Sequence, residues 1–428
     1  MSRRVGSPNA EVIDATAAEN RLGVSAVDPT TVDSIVGSAP TADRLRGCLM
    51  SATEADLAAA LAELEDPELR RGLQQMGMLR GATVVGAAAQ VVVALPSEDW
   101  PSRQAIEERI VAAATDLGIS SVSIGFEYMD EAEHSTLRAQ LIGDPAASAG
   151  SHEGHGHAEG RDVPFAAAGN RTRVLLIASG KGGVGKSSVT TNLAIALAQR
   201  GKRVALIDAD VWGFSIPRML GVERAPVVID QMVVPVEANG VRCISMGFFA
   251  REDQPVIWRG PMLHKALEQF LTDVYWDDPD YLLVDLPPGT GDISLSLSQF
   301  LPKSELLVVT TPQAAAQKVA QRAAFMAEKV NLQVRAVIEN MSYFRGDDGK
   351  DYEIFGSGGG QELAELLDVP LLGKVPLVPA LREGGDEGRP IIVADPENEA
   401  SQVFREIARL LEEEHKPTRR YNEGLSLI

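Results

Sequence analysis

Gly180-Lys181-Gly182-Gly183-Val184-Gly185-Lys186-Ser187 reads GKGGVGKS, which fits the phosphate-binding spacing G-x-x-x-x-G-K-[ST]. The glycines let successive backbone N–H groups turn inward around a phosphate chain, and the helix that follows adds its positive dipole end. Lys186 is expected to reach the β- and γ-phosphates, and the Ser187 hydroxyl to ligate Mg²⁺, with Ser188 continuing the cradle. Such a site needs carboxylates at neighbouring strand ends. VALIDADVWG supplies Asp208 and Asp210, and YLLVDLPPGTGD supplies Asp285. Asp285 suits the role of holding Mg²⁺ or its water. Asp210 is placed to orient or deprotonate the attacking water, with Asp208 beside the nucleotide. The Gly289 amide, after Pro287-Pro288, is expected to sense the γ-phosphate. Asn340 closes VRAVIEN and can both donate to and accept from a purine edge. Pro376, in Gly373-Lys374-Val375-Pro376, is expected to wall the base.

Lys181 is a second lysine that the ordinary motif does not need. It cannot serve its own nucleotide as Lys186 does, and is expected to point outward across it. A cation there is useful if it reaches a phosphate held by another subunit and stabilises transition-state charge in trans. The loop therefore implies a homodimer with nucleotide at the interface.

Parts that hold such a loop are visible around it. RVLLIAS precedes it and SVTTNLAIALAQR follows. VALIDAD, YLLVDLPPG, ELLVVTT and VRAVIEN alternate with helical stretches such as AAAQKVAQRAAFMAEKV. Continuous apolar strands separated by amphipathic helices predict an α/β fold, a P-loop NTPase whose mostly parallel sheet is covered by helices on both faces. This domain is expected over residues 172–415, with a tail at 416–428. Its ligand should sit at the carboxyl ends of the strands.

Residues 1–44 carry Ser, Thr, Ala, Pro and charge without steady periodicity, and are expected to be disordered. A small α+β domain is expected over 45–142 in the order α-β-β-α-β. It opens with a capping-box pattern at Ser51-Ala52-Thr53-Glu54, ahead of a helix carrying Leu57, Leu61 and Leu64. Asp66-Pro67-Glu68 stops that helix or starts another. The strands are ATVVGA, QVVVAL and SVSIGF, and a helix from Ser102 bears Ile106, Ile110, Val111 and Ala114 on one face. Residues 143–171, low in bulky apolar groups and holding His152, His155 and His157, read as a flexible linker.

The 428 residues hold 40 Lys and Arg against 60 Asp and Glu, a formal net charge of −20. That balance argues against nucleic-acid and anionic-membrane partners. The N-terminus has no secretory pattern, and the apolar run Val84–Leu95 is too short to span a bilayer. A cytoplasmic protein is expected. The two cysteines, Cys48 and Cys243, imply no disulfide framework.

At these residues the sequence resembles the deviant Walker A ATPases, which include MinD, ParA and the nitrogenase iron protein. DADVWGFSIPRMLG, IWRGPML, DYLLVDLPPGTGD, IENMSYF and IFGSGGG are more specifically similar to Mrp (ApbC), the iron–sulfur cluster carrier family, over residues 172–412. DPELRRGLQQMGML and its surroundings, 53–142, resemble the small domain fused ahead of many members. The resemblance implies an ATP-hydrolysing dimer that binds a cluster and hands it to apo iron–sulfur client proteins. One departure bears on the cluster. Relatives often carry a C-x-x-C pair shortly after IENMSYF; here Arg345-Gly346-Asp347-Asp348-Gly349-Lys350 has no thiol. Where the small domain of relatives often has Cys-Pro, this chain has Trp100-Pro101. Soft thiolates bind such clusters, and Cys243, in the apolar VRCISM, reads as a core residue. The nucleotide chemistry thus carries over from the family further than the cluster chemistry. A positioning or partitioning ATPase of MinD or ParA type and a cluster-free, ATP-switched adaptor are the alternatives. The C-terminal SQVFREIARLLEEEHK lacks the basic amphipathic face that membrane positioning needs.

Overall fold

A computed structural model describes residues 52–143, 161–167, 169–211, 213–249, 260–289 and 292–414. The expected disordered segment, the C-terminal tail, Cys48 and the three linker histidines lie outside these residues.

The N-terminal module opens with α1 (Glu54–Ala62), whose N-cap is Thr53. The box is closed by Thr53 and Asp56 rather than by Ser51 and Glu54, because Asp56 stands at the third helical position. Leu57 and Leu61 are fully buried, while Leu64 lies beyond the helix end. Asp66-Pro67-Glu68 neither stops nor starts a helix. It turns between two short strands, β1 (Glu65–Asp66) and β2 (Arg71–Gly72). Buried Asp66 fixes that turn by accepting from Leu69 N at 2.7 Å, Trp100 Nε1 at 2.8 Å and Ser102 Oγ at 2.6 Å.

Strands β3 (Leu79–Val85), β4 (Ala88–Leu95) and β5 (Ser121–Tyr128) form the module's sheet, antiparallel then parallel. Helix α2 (Arg103–Asp116) buries Ile106, Ile110 and Ala114; Val111 faces outward at 41% exposure, a correction to the expected face. A further helix, α3 (Glu131–Ile142), was not anticipated. It is capped by Asp130 and Glu133 and buries Leu137.

The second body is built on eight strands. Following β6 (Arg173–Ser179) come α4 (Lys186–Gln199), β7 (Val204–Asp208), α5 (Ile216–Leu220), the hairpin β8 (Val227–Ile229) and β9 (Met232–Val234), then β10 (Val236–Ala238) and β11 (Val241–Ser245). Next are α6 (Gly260–Thr272), β12 (Tyr281–Asp285), α7 (Asp292–Phe300), β13 (Glu305–Thr310), α8 (Ala314–Lys329) and β14 (Gln333–Glu339). A small hairpin of β15 (Phe344–Arg345) and β16 (Asp351–Tyr352) precedes α9 (Gly359–Leu366) and β17 (Leu371–Lys374). The chain then runs through α10 (Pro379–Asp386), α11 (Ile391–Ala394) and α12 (Glu399–Glu413).

The order across the large sheet is β10-β11-β7-β12-β6-β13-β14-β17, parallel except for the edge pair β10–β11. Alternate side chains of each central strand enter two separate cores. On β6, Val174, Leu176 and Ala178 join one, and Leu175 and Ile177 the other. Burial on both faces is why these strands read as unbroken apolar runs.

The module is not merely tethered. Ile229, Met232, Val234 and Tyr275 of the second body share one apolar cluster with Leu69, Leu73 and Met76 of the module. Tyr275 Oη donates to Leu69 O at 2.8 Å, Arg242 Nη2 to Glu68 O at 2.8 Å, and Arg224 grips both Glu68 oxygens at 2.8 Å. Within the segment 143–171, residues 161–165 are seated on the second body. Arg161 N donates to Glu268 Oε1 at 2.8 Å and its guanidinium pairs with Asp273, while Val163 and Phe165 enter the core.

Candidate functional site

The loop of residues 180–185 joins the end of β6 to the start of α4, at the carboxyl edge of the sheet. Two of its glycines are required by space. A Cβ on Gly180 would stand 2.3 Å from the backbone nitrogen of Ala320, on α8. Gly185 has φ +78°, and a Cβ there would stand 2.2 Å from Asn340 Nδ2. The loop is thereby pressed between α8 and the end of β14.

A cavity of about 500 Å³ opens over the loop, lined by Lys181 to Ser188 and closed by Asp210, Gly213, Ser215, Met219, Pro287 and Pro288. Behind its lining, Asp285 is fully buried at the tip of β12 and meets two of the lining residues. Lys186 Nζ lies 2.6 Å from Asp285 Oδ2, and Ser187 Oγ donates to the same oxygen at 2.6 Å. Thr190 Oγ1 stands 2.7 Å from Asp285 Oδ1. Sequence reasoning missed Thr190. The available signal was spacing, since it follows Lys186 by four positions and shares its helix face.

Ser245, Asp208 and Asp285 lie in one row across β11, β7 and β12. Asp208 does not line the cavity. It is fully buried, and accepts from Ser245 Oγ at 3.0 Å, Ser215 N at 3.2 Å, Ile216 N at 3.3 Å and Asp210 N at 3.2 Å. Its work is to hold the loop that carries Asp210. Asp210 itself faces the cavity, and its Oδ1 accepts from Gly213 N at 3.0 Å.

Burial, and then the neighbouring Asp285 carboxylate, push the Asp208 carboxyl up from 3.8 to about 7. An acid whose folded pKa is raised binds a proton in the folded state that the unfolded chain has released. Stability contributed this way is present at acid pH and falls as pH rises through about 7. Asp208→Asn lacks this charge but puts an amide NH₂ in place of one oxygen, against the Asp210 N–H at Oδ1 or against the Ser215 and Ile216 N–H groups at Oδ2. Its deficit in urea-unfolding midpoint against the parent protein, without nucleotide, is expected to shrink between pH 5 and 8. A deficit that is constant or grows over that range overturns the assignment.

Three expectations for the nucleotide are corrected. The Gly289 N–H is donated to Ser179 O at 2.9 Å and does not face the cavity. Asn340 and Pro376 are buried and do not line it either. Asn340 Nδ2 instead donates to Val184 O at 2.8 Å and braces the loop from behind, which leaves its buried Oδ1 without a partner. Lys181 lines the cavity, and its ammonium is held by Gln313 Oε1 at 2.9 Å rather than standing free. Glu339, also missed as a site residue, ties the loop after β14 to α9. It accepts from Ser342 Oγ and Gly360 N, both at 2.6 Å. Among the described residues, Cys243 is the one cysteine. It is fully buried, and burial holds its thiol well above the ordinary range.

Residues 170–412 match the family described as ParA: NUBPL iron-transfer P-loop NTPase. The iron–sulfur cluster carrier protein of Mycobacterium leprae is 44% identical over 82% of this chain and 90% of its own length. That of Deinococcus radiodurans is 43% identical over 82% and 93%. Among solved structures, a nucleotide-binding protein of Archaeoglobus fulgidus in complex with ADP is 34% identical over 54% of this chain and 91% of its own, with a TM-score of 0.47. A phosphate loop followed by lysine and serine on one strand-end aspartate, and near-complete coverage of named carriers, agree on one conclusion: the chain belongs to the family of iron-transfer P-loop NTPases that includes the iron–sulfur cluster carrier proteins.

Proposed function

We propose that the chain binds and hydrolyses Mg·ATP as a dimer with nucleotide at the interface, and that this cycle serves iron–sulfur cluster assembly on apo client proteins or assembly factors. The observation that carries it is the convergence of Lys186, Ser187 and Thr190 on Asp285 beneath a cavity lined by backbone amides. A hydroxyl and a carboxylate are the hard oxygen donors Mg²⁺ takes, so Ser187 and Asp285 fit it. Bound Mg²⁺ neutralises phosphate charge that develops as the γ-phosphoryl leaves.

The chain's own groups do the rest. Lys186 exchanges Asp285 for the β- and γ-phosphates. Gly182 to Ser187 present backbone N–H groups to those oxygens. Asp210, steadied by Gly213 N, orients the water and takes its proton. Lys181 leaves Gln313 to reach the phosphate of the second copy.

The cluster is cargo rather than resident cofactor, and the described residues do not fit it. Cys243 is sealed in β11, and the β15–β16 hairpin is closed by Arg345–Asp351 and by Tyr352 donating to Asp348 at 3.0 Å. No group of three or more His, Cys, Asp and Glu side chains among the described residues is gathered for a metal. This observation favours a second reading, an ATP-switched adaptor that acts on assembly without holding a cluster. No helix among the described residues is long and apolar enough to cross a membrane, and the net charge of −20 favours neither nucleic acid nor an anionic membrane as partner.

Light scattering with and without Mg²⁺ and a non-hydrolysable ATP analogue tests the dimer. Iron and acid-labile sulfide are determined on the same sample after anaerobic reconstitution. The reading expects a dimer mass only with the analogue. A monomer in both states overturns the interface, and no bound analogue overturns the reading as a whole. Stoichiometric iron and sulfide would favour the carrier over the adaptor.

A further inference from the structure

The Lys181 ammonium donates to the side-chain carbonyl of Gln313 at 2.9 Å. Gln313 is the N-cap residue of α8, yet its side chain makes no capping bond. Its amide is spent on the lysine instead of on the helix. The two residues stand 132 positions apart, so their meeting is a product of packing. Gly180 lies against the backbone of Val319 and Ala320 in α8. Pro312, next to Gln313, lies against Gly359, where a Cβ would come 2.4 Å from its carbonyl oxygen. The first turns of α8 and the residue before its cap are packed between the phosphate loop and the start of α9, and Gln313 is held beside Lys181.

The chemistry of the acceptor separates the two loop lysines. Lys186 meets a carboxylate, Asp285, at 2.6 Å. Lys181 meets a neutral amide. An amide orders the side chain and leaves its whole charge available. A carboxylate at that point would neutralise it and compete with any phosphate, since bonds charged on both sides are the stronger kind.

We propose that Gln313 is a positioning residue. It keeps Lys181 ordered, charged and releasable until a phosphate on a second copy takes the ammonium. This rests on the trans role of Lys181 proposed above.

The test uses the full chain, with steady-state ATP hydrolysis and nucleotide affinity measured for Gln313→Glu, Gln313→Leu and Lys181→Ala. In Gln313→Glu the lysine gains a charged partner, and kcat is expected to fall about tenfold or more with KM within about threefold. Gln313→Leu loses the order but not the charge, and its kcat should lie between that of the parent and that of Gln313→Glu. Equal losses in both variants would mark a packing role and overturn the proposal, as would parental kcat in Gln313→Glu. Lys181→Ala keeps the two failures apart. If it hydrolyses at the parental rate, the trans reading itself is wrong. If it is inactive while Gln313→Glu is not, only the positioning role is lost.

Discussion

Lys186→Ala is expected to abolish nucleotide binding and to loosen the nucleotide-free protein in the same stroke. The ammonium is buried and lies 2.6 Å from a fully buried carboxylate. It is the cation meant to exchange that carboxylate for two phosphates. Losing two charge-assisted contacts should weaken Mg·ATP-analogue affinity by more than about a hundredfold. Asp285 is then left without its counter-charge, beside Asp208 on the next strand. Breaking a buried pair from one side costs about 3–5 kcal/mol. Ser187 and Thr190 still donate to Asp285, so a loss near 3 kcal/mol is expected. Calorimetric titration with the analogue and urea unfolding without it read the two effects separately. Affinity within tenfold of the parent would mean that the loop lysine does not meet phosphate.

How much of this could be seen in the chain alone follows from which contacts are local. The phosphate loop and Asp285 were legible because strand, turn and helix are contiguous, and because both faces of β6 and β12 are apolar. The module's strands showed through short β-branched runs, though much of β3 and β5 is exposed. Helix α3 did not, since EAEHSTLRAQLI offers few apolar positions, although the Asp130–Glu133 box marked its start. The strands β8 and β9 are three residues each and turn on Asp230 and Gln231 with positive φ, too short a pattern to read. The errors at the site are tertiary. Gly289 gives its N–H to Ser179, and Asn340 turns to Val184, across 156 positions. The module's grip on the sheet edge is equally invisible locally, because Glu68 meets Arg224 and Leu69 meets Tyr275.

Lys181→Ala should behave in the opposite way to Lys186→Ala, and that contrast is the sharpest consequence of having two lysines in one loop. Lys181 is only half-buried and is bound to a neutral amide, so its removal strands no charge. Folding stability is expected to stay within about 0.5 kcal/mol of the parent. The phosphate-facing amides, Lys186 and Asp285 are untouched, so analogue affinity should stay within about threefold. What is lost is a cation delivered from the second copy. Trans-acting cations of this kind are worth about 10³–10⁵ in turnover, and a fall of about a thousandfold in ATP hydrolysis is expected, with loss of the analogue-dependent dimer mass. Hydrolysis at the parental rate would leave Lys186 as the only lysine in the chemistry and make the contact with Gln313 no more than a surface bond. Lost hydrolysis with the dimer intact would place Lys181 in the transition state but not in assembly, and the two copies would then be held together by other parts of the rim.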